Sequence, residues 1–153
     1  MADPISTTAL NPRILIVEDE SIIAMDIAMQ VRDLGYEPLG PARTGEQAIE
    51  IAKRLRPQLV LMDIHLGTQM DGITAAQEIR TQFEIPCVFL SAFNEEESKA
   101  RAKLTNPAGY LAKPFTEHEL RTVIAAALVE AETVPPNTGH RWALDCSRGG
   151  RTL

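Results

Sequence analysis

Ile14-Leu15-Ile16-Val17, followed by Glu18-Asp19-Glu20, is the stretch that decides the fold, because an apolar run of strand length ends in three carboxylates. Three further apolar runs are each followed directly by a polar residue, and these residues are Asp63, Ser91 and Lys113, the last of which precedes Pro114. If the four runs are neighbouring parallel strands, the residues at their carboxyl ends meet in one crevice. Carboxylates, a hydroxyl and an ammonium group in one crevice are suited to binding a divalent cation and a phosphoryl group.

Strand and helix signals alternate five times along the chain. Gly40-Pro41 is expected to end the second strand, and Thr44 with Gln47 forms a capping box for the second helix. Asp71 and Thr116 are expected to cap the third and fifth helices. The predicted strands are 13–17, 36–39, 58–62, 86–90 and 109–112, and the predicted helices are 20–34, 45–56, one after Asp71, 95–104 and 116–132.

Strict alternation of this kind predicts an α/β protein with a doubly wound (βα)5 parallel sheet and helices on both faces. A strand order of 2-1-3-4-5 would make it flavodoxin-like, although periodicity alone does not give that order. We expect an N-terminal extension over 1–12, one domain over 13–132, and a flexible C-terminal tail over 133–153 with no output domain.

Composition excludes several classes of function. The 153 residues are 44% hydrophobic and carry a net charge of −6, which argues against direct contact with nucleic acid. No apolar run approaches the roughly 20 residues that span a bilayer, so we expect no membrane contact. The N-terminus lacks a secretory signal pattern. Cys87 lies in an apolar run and Cys146 in a polar segment, which favours a spare buried thiol over a disulfide and the cytoplasm as compartment.

The chain resembles the receiver domain of two-component response regulators. The resemblance rests on motifs whose order and spacing agree over about residues 13–130. These motifs are 14–20 (Ile-Leu-Ile-Val-Glu-Asp-Glu), 59–63 (Leu-Val-Leu-Met-Asp), 70–72 (Met-Asp-Gly), 89–92 (Phe-Leu-Ser-Ala) and 109–115 (Gly-Tyr-Leu-Ala-Lys-Pro-Phe). It implies the strand order 2-1-3-4-5 and a phosphorelay function in which a phosphohistidine donates a phosphoryl group to Asp63. The loop between Asp63 and Gly72 is one residue longer than is usual in the family and lacks its proline.

The resemblance also implies a role for each site residue. Mg²⁺ (or Mn²⁺) would be held by the carboxylates of Glu18, Asp19 and Asp63 and by the backbone carbonyl of His65. The phosphoryl-binding and switch residues would be Ser91, Lys113 and Tyr110, with a cis bond between Lys113 and Pro114. His65 and Phe93 occupy positions that tune phosphoryl lifetime in the family.

The implied partners are proteins. The first helix carries Ile22, Met25 and Met29 on a second face, where a histidine kinase or a histidine phosphotransfer protein could dock. Packing of these residues beneath the tail or neighbouring loops is the alternative. A homodimer through the face of the fourth helix, fifth strand and fifth helix is also consistent with the resemblance.

Other functions stay open at this point. The chain could be a stand-alone receiver or a receiver fragment excised from a larger regulator or hybrid kinase. An aspartyl-phosphate phosphatase or phosphotransferase of the haloacid dehalogenase type needs a second Asp two residues after the nucleophile, where this chain has His65. A third possibility is a degenerate receiver that acts purely as an interaction module, and the complete site argues against it. We therefore predict a regulatory phosphoacceptor, which assists its own phosphotransfer and dephosphorylation, rather than an enzyme.

Overall fold

The computed structural model describes residues 11–67, 69–92 and 96–132, without the side chains of 96–98, 131 and 132. Five strands and five helices alternate along these residues. The strands are β1 (Arg13–Val17), β2 (Glu37–Ala42), β3 (Leu59–Asp63), β4 (Cys87–Ala92) and β5 (Gly109–Lys113). The helices are α1 (Ser21–Asp33), α2 (Gly45–Leu55), α3 (Gly72–Phe83), α4 (Glu96–Lys103) and α5 (Glu117–Glu132).

All five strands are parallel and lie in the order β2-β1-β3-β4-β5, which confirms the predicted order 2-1-3-4-5 and the flavodoxin-like fold. The register aligns the carboxyl ends of the strands: Val17 pairs with Met62, Asp63 with Leu90, and Ala92 with Lys113. The polar residues at or next to the carboxyl ends of β3, β4 and β5 therefore lie at the same end of the sheet, as parallel pairing requires.

Alternate strand residues pack on opposite faces of the sheet, so the core has two layers. Leu15 and Val17 face the layer covered by α2, α3 and α4, whereas Ile14 and Ile16 face the layer covered by α1 and α5. The central strand β3 is fully buried along its length. A strand buried on both faces reads as a continuous apolar run, which is why the sequence shows no polar alternation there.

Side-chain caps begin three of the helices where the sequence predicts them. The Thr44 hydroxyl accepts from the Gln47 backbone N–H at 3.0 Å, and Asp71 Oδ1 accepts from the Thr74 N–H at 2.9 Å. Thr116 and Glu119 exchange two such bonds, of 3.0 and 2.9 Å. Gln47 departs from the expected box, because its side-chain oxygen accepts from the N–H of the residue before the cap rather than from that of Thr44.

The second strand differs from its prediction. It runs from Glu37 to Ala42, so Gly40-Pro41 lies inside the strand instead of ending it. Gly40 has a φ of +93°, and the register between β1 and β2 shifts between Leu15 and Val17. A bulge in an edge strand accommodates the glycine and a proline that donates no hydrogen bond.

Three other strands extend further than predicted. Asp63, Ser91 and Lys113 lie within β3, β4 and β5 rather than after them, because the parallel ladder continues through these residues. Their backbones are therefore held by the sheet itself.

Two further findings concern the described residues. Cys87 is a buried free thiol, and burial raises its pKa to about 12. None of the helices that the structure describes is long and apolar enough to cross a membrane. Some of the expectations fall outside the described residues. They concern the tail over 133–153 with Cys146, residues 1–10 of the N-terminal extension, and Phe93.

Candidate functional site

Lys113 joins two acidic side chains at the carboxyl edge of the sheet. Its ammonium nitrogen lies 3.1 Å from Glu18 Oε1 and 3.3 Å from Asp63 Oδ2. Glu18 is 1% exposed and Asp63 is 5% exposed, whereas Lys113 is partly exposed. A buried carboxylate is costly as an ion unless a cation or hydrogen-bond donors face it, and Lys113 is the cation that faces both carboxylates here.

Three carboxylates form a cluster in the same crevice. Oxygen atoms of Glu18, Asp19 and Asp63 all lie within 4.8 Å of one another. Asp19 is more exposed than the other two, so the cluster opens to solvent on its side. The crevice is lined by Glu18, Asp19, Glu20, Asp63, His65, Gly67, Ala92 and Lys113.

The charges in the crevice do not balance. The pKa of Glu18 is raised from 4.5 to about 7, first because the carboxyl is buried and second because Asp63 is its neighbour, while Lys113 acts in the opposite direction. Burial by itself would lower the pKa of Lys113, but the carboxylates of Asp63 and Glu18 outweigh it, so that pKa is raised. One ammonium group thus serves several carboxylates, and the crevice retains an excess of negative charge.

The cluster fits a small divalent cation. Mg²⁺ takes oxygen ligands at about 2.1 Å, so opposite ligands of one ion stand about 4.2 Å apart, close to the spread of these carboxylates. Gly67, whose φ is +69°, lies close to the cluster, and an added Cβ there would stand 3.1 Å from Asp19 Oδ2 and crowd that carboxylate. Glu18, Asp19 and Asp63 are therefore the residues that would hold Mg²⁺.

Backbone contacts fix the position of Asp63. The N–H of His65 donates to Asp63 Oδ1 at 3.1 Å, and the N–H of Ile64 donates to the Leu90 carbonyl at 3.0 Å. The Gly72 N–H closes the following loop on the Ile64 carbonyl at 2.8 Å. Any Cβ at Gly72 would collide with the Asp63 carbonyl oxygen. The glycine therefore allows the loop to return directly beneath the acidic residue.

A hydroxyl pair lies beside the crevice. Ser91 Oγ and the Tyr110 hydroxyl are 2.6 Å apart, and Ser91 is fully buried. Ser91 Oγ also donates to the Ala92 carbonyl at 3.3 Å. Lys99 Nζ lies 5.7 Å from the centroid of the Tyr110 ring, within the range of a cation–π contact.

The structure brings most of the sequence-predicted site residues together. Glu18, Asp19, Asp63, His65 and Lys113 share the crevice. Their functional roles stay predictions, since geometry alone does not test them. On α1, the expected docking residues are exposed and do not pack beneath another described segment: Ile22 is 82% exposed, Met25 64% and Met29 57%.

Two residues of this region were not singled out by sequence reasoning. Arg43 donates from its guanidinium to the Asp19 carbonyl at 3.0 Å and to Ser21 Oγ at 2.8 Å. Gly67 approaches the Asp19 carboxylate through its left-handed backbone. Because Arg43 directly precedes the Thr44 cap, the sequence indicated that its backbone would be fixed. It did not indicate which atoms the side chain would reach.

Comparison with known proteins agrees with this geometry. Residues 14–125 match the model of the response regulator receiver domain. The transcriptional regulatory protein PdtaR of Mycobacterium tuberculosis is 40% identical over 120 residues, which are 78% of this chain and 58% of that protein. The phyllosphere-induced regulator PhyR of Methylorubrum extorquens is 36% identical over 128 residues, or 83% of this chain and 47% of PhyR. The chain thus spans about half the length of these curated relatives.

A solved structure agrees with the fold at similar identity. The signal receiver domain of a modulated diguanylate cyclase from Desulfovibrio desulfuricans G20 superposes with a TM-score of 0.76 at 36% identity. The alignment covers 80% of this chain and 98% of that domain.

Proposed function

The chain belongs to the response regulator receiver domain family of two-component signal transduction, and from that premise we propose that it accepts a phosphoryl group on Asp63 and thereby switches a protein–protein surface. The donor is a phosphohistidine on a histidine kinase or a histidine phosphotransfer protein. The role is regulatory, in line with relatives that are named as transcriptional regulators.

One observation carries the proposal, namely the Lys113 ammonium group between Glu18 Oε1 and Asp63 Oδ2. A carboxylate is a weak nucleophile towards a phosphoryl group unless positive charge neutralises the phosphoryl oxygens. Lys113 lies within 3.3 Å of the oxygen that would receive the group, so its ammonium is placed to contact a phosphoryl oxygen after transfer.

The transfer balances as a displacement at phosphorus. An oxygen of Asp63 forms a bond to phosphorus while the P–N bond to the donor imidazole breaks, and the imidazole takes up a proton. Mg²⁺ bound by Glu18, Asp19, Asp63 and the His65 carbonyl would supply the remaining neutralisation of phosphoryl charge. Hydrolysis reverses the state when water attacks the same phosphorus and releases inorganic phosphate. His65 and Phe93 are proposed to tune the rate of that step.

The switch is proposed to run through Ser91 and Tyr110. A phosphoryl group on Asp63 offers new acceptor oxygens to the Ser91 hydroxyl, which now contacts Tyr110 at 2.6 Å. Movement of Ser91 changes the environment of the tyrosine ring and of Lys99 on α4. The surface formed by α4, β5 and α5 is thus the part expected to change, and it is also the candidate face of a homodimer.

Docking of the phosphohistidine partner is proposed on α1. Ile22, Met25 and Met29 are exposed on this helix, and α1 begins directly after the acidic loop that contains Asp19. A partner bound to this face therefore lies next to the crevice. Flexible Met side chains suit an adaptable helical partner. Because the relatives are longer, the output of the switch would belong to the other regions of a regulator that contains such a receiver.

The experiment that tests the proposal is labelling by a phosphorylated histidine kinase in the presence of Mg²⁺. The native chain should acquire an acid-stable, base-labile acyl phosphate, and Asp63→Asn should acquire none. Glu50→Gln, which changes an exposed carboxylate on α2, is the matched control and should label normally. Persistent labelling of Asp63→Asn would overturn the assignment of the acceptor.

A further inference from the structure

Within the described part of the chain, the backbone of the loop that carries the acidic pair makes few hydrogen bonds. It connects β1 to α1 through Glu18, Asp19 and Glu20. The Glu18 N–H donates to the Ala42 carbonyl at 2.9 Å, and the Glu20 N–H donates to Glu18 Oε2 at 3.2 Å. Among the residues that the structure describes, the N-cap residue Glu20 makes no side-chain capping bond to α1. The backbone of Asp19 therefore depends on a contact from outside the loop.

Arg43 supplies that contact. Its Nη2 donates to the Asp19 carbonyl at 3.0 Å, and its Nη1 donates to Ser21 Oγ at 2.8 Å. One planar guanidinium thus holds the residues on both sides of Glu20. A lysine ammonium has three donors on a flexible stem but lacks the rigid fork that reaches two acceptors at once.

The backbone of Arg43 is itself fixed by the start of α2. Its N–H donates to Gln47 Oε1 at 2.8 Å, and the Gln47 N–H donates in turn to the Thr44 hydroxyl at 3.0 Å. The helix cap therefore orients the residue from which the guanidinium extends. A continuous set of hydrogen bonds leads from the α2 cap to the carbonyl of Asp19.

We propose that Arg43 is a positioning residue for the metal-binding carboxylates, which it acts on through the backbone of Asp19. The inference rests on the proposed function, since it concerns how that site binds Mg²⁺. Arg43 influences the affinity for Mg²⁺ in two opposing ways. Its positive charge beside Asp19 repels a cation, whereas its two hydrogen bonds hold the Asp19 loop in a binding conformation. Loss of an outer contact to a metal ligand typically lowers metal affinity by about tenfold or more, so we expect the second contribution to be larger.

The sign of the change in Mg²⁺ affinity tests the proposal. Arg43→Gln removes the charge and the fork, and Arg43→Lys keeps the charge without the fork. We expect calorimetric titration to show about tenfold weaker Mg²⁺ binding for both variants. Arg54→Gln, at the exposed end of α2, is the matched control and should bind like the native chain. Tighter binding by Arg43→Gln with unchanged binding by Arg43→Lys would show that only charge matters, and would overturn the proposal.

Two further measurements keep the result interpretable. If the native chain itself does not bind Mg²⁺, the proposed function fails, whereas equal binding by the native chain and both Arg43 variants defeats this inference alone. If the Arg43 variants do not fold, as judged by circular dichroism, Ser21→Ala replaces them because it removes one of the two acceptors. We expect Ser21→Ala to weaken Mg²⁺ binding by a smaller factor, about threefold, and unchanged binding would overturn the proposal.

Discussion

The Ser91 and Tyr110 hydroxyl oxygens lie 2.6 Å apart, which joins the buried end of β4 to β5 by a side-chain hydrogen bond. Ser91 is fully buried and therefore cannot replace this bond with one to bulk water. Tyr110 differs from Ser91, because it is only partly buried and its phenol can turn outward to water. The pair is consequently suited to two arrangements, one with the hydroxyls in contact and one with Ser91 turned towards a phosphoryl group.

The first prediction concerns the energy of this pair. Ser91→Ala and Tyr110→Phe should each destabilise the unphosphorylated chain, and the double variant should lose less than the sum of the two. The coupling energy should be about 1 kcal/mol, the usual net value of a hydrogen bond. Urea unfolding of the four proteins of the cycle measures it. Tyr36→Phe combined with Ser91→Ala is the control cycle, since Tyr36 packs in the opposite layer of the core, and its effects should add. Additive effects in the Ser91–Tyr110 cycle would contradict the prediction.

The second prediction separates strain from metal binding at Gly67. Gly67→Ala places a Cβ on a backbone with φ of +69° and 3.1 Å from Asp19 Oδ2. We expect a loss of stability of about 1–2 kcal/mol from the left-handed backbone, together with weaker Mg²⁺ binding. Gly35→Ala is the matched control, because Gly35 has a φ of +98° and its added Cβ meets no described atom within 4 Å. It should lose similar stability and keep its Mg²⁺ affinity. Equal Mg²⁺ affinities of the two variants would argue against a role for Gly67 in the site.

The fold could be predicted from the sequence because the strands are short apolar runs and several helices begin at recognisable capping residues. Alternation fixed the order of elements along the chain, but the order of strands in the sheet came from the resemblance, since periodicity contains no pairing information. The second strand was predicted too short because a Gly-Pro pair usually ends a strand, and here an edge position and a bulge accept it.

The site was predictable only in part for a similar reason. Residues at the ends of strands could be placed in one crevice before any side chain was positioned. Arg43 and Gly67 could not, because their contributions depend on where a guanidinium reaches and on the sign of a φ angle. Neither property follows from spacing along the sequence.

The third prediction concerns the ion pair between Arg101 of α4 and Asp71 at the start of α3. Arg101 Nη1 lies 2.9 Å from Asp71 Oδ2, and Asp71 also caps α3 because its Oδ1 accepts from the Thr74 N–H. Burial by itself would raise the pKa of Asp71, but the Thr74 N–H and Arg101 outweigh it and the pKa is lowered. Asp71→Ala should therefore cost about 1 kcal/mol for the lost cap, and Arg101→Gln less than about 0.5 kcal/mol for a partly exposed pair.

Urea unfolding at low and high salt measures both values. The effect of Arg101→Gln should shrink at high salt, because a partly exposed ion pair is screened, whereas the effect of Asp71→Ala should largely persist. Arg121→Gln on α5 is the control for the arginine change. A cost of Arg101→Gln equal to that of Asp71→Ala at both salt concentrations would contradict this division between cap and ion pair.

The last prediction concerns the pH dependence that Glu18 confers on the metal-free chain. Burial and the neighbouring Asp63 raise its pKa from 4.5 to about 7 in the folded state. Between these two pH values the folded state retains a proton that the unfolded state has released, so the Glu18 contribution to stability falls as pH rises and is lost above about pH 7. The raised pKa of Lys113 adds no slope here, because its contribution is fully present below its ordinary value of 10.5. The lowered pKa of Asp71 changes the stability only below about pH 3.8, the ordinary pKa of this carboxyl, and so adds no slope either.

Glu18→Gln should therefore gain stability relative to the native chain as pH rises from 5 to 8, by on the order of 1–3 kcal/mol in urea unfolding with a chelator present. Added Mg²⁺ should reverse the trend for the native chain, because the ion binds ionised Glu18 and displaces its proton. Calorimetric titrations at pH 6 in buffers of different ionisation enthalpy should accordingly detect proton release on Mg²⁺ binding, and titrations at pH 8 should detect little. A constant stability difference between the native chain and Glu18→Gln across this range would show that Glu18 is already ionised at pH 5.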